Sequence, residues 1–339
     1  MESLTNHKIV LASRPTGLPQ LSDFRMESEL VAPPEPGNVV VAVDVLSMDA
    51  FIRTTLETHA YHGSVAMGSP IIALGVGHVL HSTVPDLQPG DPVFGPLCAQ
   101  TICTMPAAAF RKLDISTVPA TTYLGALGMT TGLTAYFGVL EVAAVKPGDT
   151  VVVSGAAGAV GSLAVQIARI AGAGRVIGIA GGPAKVAFLV DELGCDAAID
   201  YKNENIEARL GELAPGGIDV FYDNVGGAAL DAALMHVKEF ARVVICGGIS
   251  HYDDMDHVVG PKNYMKLAER HARMEGFAVT HFGPRFPEAE QALAGWLAEG
   301  KLVVHEQFVH GIEQFPEALV MLLTGGNRGK LMLDLRVAQ

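Results

Sequence analysis

Three glycines, Gly155, Gly158 and Gly161, stand between an apolar run (Thr150–Ser154) and a helix-period segment that opens at Ala159. A second β-branched run, Arg175–Ala180, follows. This is a βαβ unit with its glycines in the strand-to-helix turn, where a dinucleotide pyrophosphate rests against a helix N-terminus. Lacking a Cβ, Gly158 lets the backbone approach the phosphates, and Gly161 lets the helix pack on the strand. Ala157 occupies the place usually held by the second glycine of the fingerprint. The strand–turn–helix context is what gives the spacing its force, the other reading being a tight turn that holds no ligand.

The end of the second strand indicates which dinucleotide. Carriers of the 2′-hydroxyl form place Asp or Glu there, whereas a 2′-phosphate requires that carboxylate to be absent and a cation to be near. Here the chain reads Gly178-Ile179-Ala180-Gly181-Gly182-Pro183-Ala184-Lys185, with no acid before Asp191. A phosphate would meet small residues and the Lys185 ammonium, so NADP(H) is favoured over NAD(H). The alternative makes Lys185 an ordinary solvated helix residue.

Other chemistry-bearing residues are less organised. His59 and His62 are three apart, as are His78 and His81, but no supporting carboxylates accompany them, and they read as rim or surface residues. Cys98, Cys103, Cys195 and Cys246 lack CxxC spacing and read as free thiols of a reducing compartment. No metal site is expected.

The elements that must position these residues fall into two groups. Up to about Ala120, short alternating runs are broken by Pro and Gly: Lys8–Ala12, Val39–Ser47, Gly75–Ser82, Pro92–Gly95 and Thr101–Pro106. They predict a mostly antiparallel, barrel-like β domain. An apolar helical stretch, Gly125–Val142, then leads into βα alternation. Strands are expected at Ala197–Asp200, Ile218–Asp223, Arg242–Cys246 and Met274–Val279. Helices are expected at Glu204–Leu213, Ala228–Val237, Pro261–His271 and Glu288–Glu299. Six such strands make a doubly wound parallel sheet. The tail, with a helix at Phe315–Leu323, rejoins the first domain. The expected division is residues 1–124 with 300–339 for the β domain, and 125–299 for the nucleotide domain.

At 339 residues the chain is long enough for these two domains. Hydrophobic residues make up 49% and charged residues 17%, which excludes a disordered or fibrous chain. A net charge of −13 argues against nucleic acid or an anionic membrane as partner. The polar N-terminus and the lack of a long apolar run point to a cytoplasmic protein.

The chain resembles the medium-chain dehydrogenases/reductases, in their zinc-free branch of NADPH-dependent double-bond reductases. Members include prostaglandin, 2-alkenal and curcumin reductases. The likeness runs nearly end to end and is densest in SRPTGLP (Ser13–Pro19), GMTTGLTAYFG (Gly128–Gly138), AAGAVGS (Ala156–Ser162), IDYKNE (Ile199–Glu204) and FYDNVGG (Phe221–Gly227). CGGISHY (Cys246–Tyr252), RMEGF (Arg273–Phe277) and GGNRGK (Gly325–Lys330) add to it.

The resemblance implies a Rossmann sheet plus a GroES-like barrel. It also implies hydride transfer from NADPH to the C=C bond of an α,β-unsaturated ketone or aldehyde. Ala156, Ala157, Gly158 and Ala159 would contact the pyrophosphate, and Lys185 and Tyr201 the 2′-phosphate end. Asn224 would lie at the ribose, with a plain turn-stabilising role as its alternative. Cys246, Gly247, Gly248, Ile249, Ser250, His251 and Tyr252 would line the nicotinamide side with Phe277, Ala278 and Val279, and Asn327 would join from the tail. Where zinc relatives carry GHE this chain has Ile71-Ile72-Ala73.

Tyr264 is the leading protein candidate for polarising or protonating the substrate, and Tyr252 for anchoring the cofactor. Phe51 and Arg53 would face the substrate, with Phe51 replacing a tyrosine common in relatives. Glu269 stands where some relatives carry another tyrosine, and a tryptophan is missing from Gly95–Cys103. A quinone or carbonyl reductase on the same scaffold, or a cofactor-binding protein without turnover, remain alternatives. The resemblance further implies a homodimer paired along the last sheet strand (Arg273–Val279).

Overall fold

The structure, a computed structural model, describes residues 4–58 and 62–336. His59 lies outside the described residues. The chain divides into two compact units: residues 1–124, 306–327 and 331–339 form the first, and residues 125–305 with 328–330 the second.

In the first unit β1 (Thr5–Leu11) and β2 (Phe24–Leu30) form an antiparallel pair. They are followed by β3 (Asn38–Ser47), the short helix α1 (Phe51–Thr55), β4 (Gly75–Ser82), β5 (Pro92–Gly95), β6 (Ile102–Pro106) and β7 (Arg111–Lys112). The chain then enters the second unit through α2 (Thr134–Phe137), which is flanked by π-helical turns at Met129–Leu133 and Gly138–Val142.

The second unit continues with β8 (Thr150–Ser154), α3 (Ala159–Ile170), β9 (Arg175–Ala180) and α4 (Pro183–Ala187). Next come β10 (Ala197–Asp200), α5 (Ile206–Leu213), β11 (Ile218–Asp223), α6 (Gly227–Met235) and β12 (Val237–Ile245). It closes with α7 (Met265–Glu269), β13 (Arg273–Gly276) and α8 (Phe286–Ala298). The tail adds β14 (Glu306–His310), α9 (Phe315–Leu323) and β15 (Lys330–Asp334).

In the first unit a seven-stranded sheet runs β14-β15-β3-β4-β5-β7, with β6 also paired to β3. Its strands alternate inward apolar residues that pack with α9. Val39, Val41, Leu46, Phe315, Leu319 and Leu331 are all solvent-excluded.

The second unit is a six-stranded parallel sheet in the order β10-β9-β8-β11-β12-β13. Central strands buried on both faces read as unbroken β-branched runs, which is why Thr150–Ser154 and Arg175–Ala180 were legible without alternation. Strand order reverses between β8 and β11. Open α/β sheets bind ligands outside the carboxyl ends of their strands at such a point.

Several elements differ from expectation; the strand expected at Met274–Val279 runs instead over Arg273–Gly276. β2, FRMESEL, has five of its seven side chains exposed, so it carries no apolar run to announce it. The helix expected over Pro261–His271 shrinks to α7, because Lys262–Tyr264 form turns and Asn263 is held by Asp231 of α6. β12 begins at Val237, earlier than the apolar run shows, and its outer half carries Lys238, Glu239 and exposed Phe240.

Candidate active site

The glycine turn is shaped by backbone contacts. Gly155 adopts φ +58°, in the left-handed region that glycine tolerates. A Cβ on Gly161 would lie 2.3 Å from the Gly155 carbonyl oxygen, so this position accepts only glycine while α3 keeps its seat. At Gly158, the N-cap of α3, a Cβ would meet only the Gly155 carbonyl oxygen, at 3.2 Å. The tail closes the turn: Gly329 N–H donates to the Ala157 carbonyl at 2.9 Å, and Gly158 and Gly329 form a parallel bridge. Ala156 and Ala157 are buried, and Ala159 begins α3, so what this turn offers a ligand is backbone. The first-turn N–H groups of α3 have no intrahelical acceptors, and they carry the positive end of the helix dipole. This cradle fits a pyrophosphate.

Beside it, the ends of β8 and β11 are tied by a buried network that the sequence reading passed over. Ser154 Oγ donates to Asp223 Oδ1 at 2.6 Å and accepts from Asn224 N–H at 2.8 Å. Asn224 Nδ2 donates to the Ser154 carbonyl at 2.7 Å, which fixes the side-chain amide and leaves its oxygen as the acceptor for other donors. Asp223 also accepts from the Val225 and Gly226 N–H groups. Burial pushes the Asp223 carboxyl above its ordinary value, against these hydrogen bonds. An acid closing a largely apolar strand was the available signal.

The loop after β12 is stitched onto the loop after β11. Cys246 and Gly247 N–H groups both donate to the Asp223 carbonyl, and Ile249 N–H donates to that of Asn224. Ser250 donates to the Val225 carbonyl from both its N–H and its Oγ. The His251 ring lies over Gly226, and Gly248 N–H reaches the Tyr252 hydroxyl at 3.4 Å. Burial raises the Tyr252 phenol. Thus Asn224, Gly247, Gly248, Ile249, Ser250, His251 and Tyr252 lie together at the ends of β11 and β12.

Several expected residues do not join them. The Cys246 sulfur faces the Tyr222 hydroxyl, and burial drives its thiol up to about 12, so only its backbone is placed for a ligand. The Phe277 ring turns toward Gly138 and Phe282, and Ala278 and Val279 begin a short 3-10 turn. Tyr264, the N-cap of α7, is 56% exposed, and no hydrogen bond or ring contact among the described residues joins its phenol to this cluster. Asn327 is buried, two residues before Gly329.

At the carboxyl ends of β9 and β10, Asp200 accepts from Gly182 N–H (2.7 Å), Lys202 N–H (3.1 Å) and Asn203 Nδ2 (2.8 Å). These bonds, that from Gly182 foremost, lower its carboxyl. Its charge is therefore spent on the turn. Lys185 is half-buried, and its ammonium is lowered first by burial and then by repulsion from Lys202. The Tyr201 ring and the Lys202 stem cover Gly181, so a Cβ there would sit 2.8–2.9 Å from both. Lys202 was not singled out in the sequence, because nothing in IDYKNE separates it from a solvated lysine.

In the first unit, Arg53 is 1% exposed and wholly engaged. Its Nη1 meets Glu57 at 2.6 Å, and Nε and Nη2 donate to the Gly17 carbonyl. Arg14 likewise donates to the carbonyls of Leu56 and Val65. Arg53 thus fastens the Ser13–Pro19 loop to α1, and no face of its guanidinium is turned to a substrate. Phe51 is half-buried with its ring 5.2 Å from that of His62, and burial lowers the His62 imidazole. His78 faces Asp44 at 3.0 Å.

Comparison with known proteins converges on one family. Residues 159–296 match the model described as zinc-binding dehydrogenase, and residues 7–113 the N-terminal domain of oxidoreductase. The chain is 42% identical to YfmJ of Bacillus subtilis, over 97% of both chains. It is 38% identical to the NADP⁺-dependent 2-alkenal reductase of Nicotiana tabacum, again over 97% of each. With the NADPH-dependent curcumin reductase of Escherichia coli it shares 34% identity over 97% of this chain and 96% of the relative.

The chain is a medium-chain dehydrogenase/reductase.

Its place is among the family's NADPH-dependent double-bond reductases. The crystal structure of CurA from Vibrio vulnificus in complex with NADPH superposes with a TM-score of 0.92 at 32% identity, over 98% of this chain and all of that one. Zinc is named in one family description. Ile71 and Ala73 are buried hydrocarbons where a GHE motif would stand. Among the described residues no three His, Cys, Asp or Glu side chains are grouped to hold a metal ion.

Proposed function

We propose that this medium-chain reductase binds NADPH across the switch point of its parallel sheet and reduces the C=C bond of α,β-unsaturated ketones and aldehydes. The observation that carries this reading is the convergence of the glycine turn, the Ser154–Asp223–Asn224 network and the Gly247–Tyr252 loop at one strand-order reversal. Relatives that reduce 2-alkenals and curcumin supply the substrate class.

In this reading the N–H groups of Ala157, Ala159 and the rest of the first turn of α3 receive the pyrophosphate, while Gly158, whose own N–H is held by the Gly155 carbonyl, permits the close approach. Lys185 and Tyr201 hold the 2′-phosphate. Asn224, its amide nitrogen already spent on Ser154, accepts from a ribose hydroxyl. The Gly247–Tyr252 loop flanks the reacting end, where glycine permits close approach and the Tyr252 phenol fixes the loop through Gly248. Ala278 and Val279 complete the wall, with Phe277 bracing it from behind; the family resemblance adds Asn327 as a further contact. NADPH, when bound, supplies the hydride. Tyr264 is the candidate for proton delivery, and its solvent exposure lets it exchange protons with water. Phe51, beside His62, offers an apolar face to the substrate.

A panel of enones, enals, quinones and simple carbonyls, followed by NADPH absorbance and product analysis, tests the assignment. Saturated ketones or aldehydes are the expected products. Alcohols or hydroquinones alone would move the enzyme to the carbonyl or quinone reductase alternative. We further propose a cytoplasmic enzyme, in keeping with four unbridged cysteines. The fully exposed edge strand β13 is proposed to pair with a second copy to form a homodimer. Light scattering in solution checks the dimer.

A further inference from the structure

The peptide between Ala157 and Gly158 is pinned from both sides. Its carbonyl accepts from Gly329 N–H at 2.9 Å, and its N–H donates to the Gly155 carbonyl at 3.0 Å. A planar trans peptide held at both its oxygen and its hydrogen cannot swivel. The N–H groups that open α3 are therefore aimed partly by the distant Gly329.

Gly329 is itself seated with care. Its φ of +66° lies in the left-handed region, and a Cβ there would stand 2.1 Å from the His305 carbonyl oxygen. That oxygen also accepts from Lys330 N–H at 2.8 Å. With Gly325 and Gly326 the segment is costly in backbone entropy to order, so its side-chain anchors matter. Arg328 supplies one. Its guanidinium lies over the Phe188 ring, 4.8 Å from the centre, and its Nη1 meets Glu192 Oε1 at 3.3 Å. Phe188 and Glu192 belong to one π-helical turn, Phe188–Glu192, that continues α4. The same two residues face His305: its ring meets the solvent-excluded Phe188 ring at 4.6 Å, nearly perpendicular, and its Nε2 stands 3.6 Å from Glu192 Oε2. A single turn of helix thus grips the latch through Arg328 and backs it through His305.

We propose that Arg328 is a positioning residue for the coenzyme: by gripping Phe188 and Glu192 it holds Gly329 on the Ala157 carbonyl and keeps the α3 N–H groups set for a pyrophosphate. This rests on the NADPH reading above and names a residue that reading does not use. A cation over a ring and a partly exposed ion pair are each modest, so their joint effect is several-fold.

Amide hydrogen exchange and calorimetry on the full-length protein test this. Arg328→Ala is expected to speed exchange at Gly329 about fivefold while amides inside β8 keep their protection, and to weaken NADP⁺ binding about fivefold. Arg328→Lys restores part of both, since an ammonium still meets a ring face and a carboxylate. Glu192→Gln, which keeps the aromatic contact, gives a smaller loss of the same kind. Unchanged exchange at Gly329 in Arg328→Ala overturns the grip. Faster exchange with NADP⁺ affinity intact overturns its bearing on the coenzyme. A wild type that takes up no NADP⁺ overturns the NADPH reading and the coenzyme half of this inference, while exchange at Gly329 still decides the grip.

Discussion

Two cationic neighbourhoods in this chain look alike on paper and behave differently in the fold. The family resemblance assigns both Arg53 and Lys185 to ligand contacts. Arg53 ends on Glu57 and Gly17, completely withdrawn from solvent. Lys185 instead is half-buried at the carboxyl end of the parallel sheet, its ammonium lowered by burial and then by Lys202. A charge sealed from solvent by its own chain is structural. A charge still part-exposed at the end of a parallel sheet stands where such folds meet their ligands.

The contrast can be broken most forcefully at the glycine turn. Gly161→Val places a side chain inside the van der Waals radius of the Gly155 carbonyl oxygen. The expected loss is about 3 kcal/mol of stability, together with NADPH binding, read by urea denaturation and calorimetry. A variant as stable as wild type would mean that the turn yields easily.

Arg53→Ala comes next, at about 2 kcal/mol, discounted because Glu57 retains some access to water. NADPH affinity should stay within about twofold. Lost affinity without lost stability would erase the distinction drawn between the two cations. Lys185→Ala reverses that pattern: stability is nearly unchanged, and the NADPH-over-NADH preference in kcat/KM falls about tenfold or more. An unaltered preference would remove Lys185 from phosphate recognition.

The smallest effect is one of pH. The Asp223 carboxyl ionises at higher pH in the folded chain than in the unfolded one, so between the ordinary value of 3.8 and its raised folded value the native state binds more protons. Stability therefore declines as pH rises through that interval. Asp223→Asn lacks this slope. The advantage of wild type over the variant should shrink from about pH 4 upward in urea melts, and an advantage that grows would show that the carboxyl is not raised.

How much of this was legible depended on whether a residue's role was local. β8, β9, β10 and β11 have the bounds expected from their apolar runs, and α9 from its periodicity, because buried parallel strands and amphipathic helices write their environment into adjacent residues. The glycines were legible for the same reason. Arg53 was not: its partner Gly17 lies 36 positions earlier, and nothing in ILE-ARG-THR distinguishes a locked guanidinium from a waiting one. The Ser154–Asp223 bond spans 69 positions and was equally hidden. For Cys246 and Phe277, strand-end register did not reveal that their side chains face Tyr222 and Gly138.

The bond from Gly329 to Ala157 has a consequence for biosynthesis. The strand-to-helix turn is synthesised about 170 residues before the segment that latches it. Coenzyme capture should therefore await synthesis of that segment, and a protease cutting the chain just before Gly329 would loosen the coenzyme cradle while sparing every residue of the βαβ unit itself.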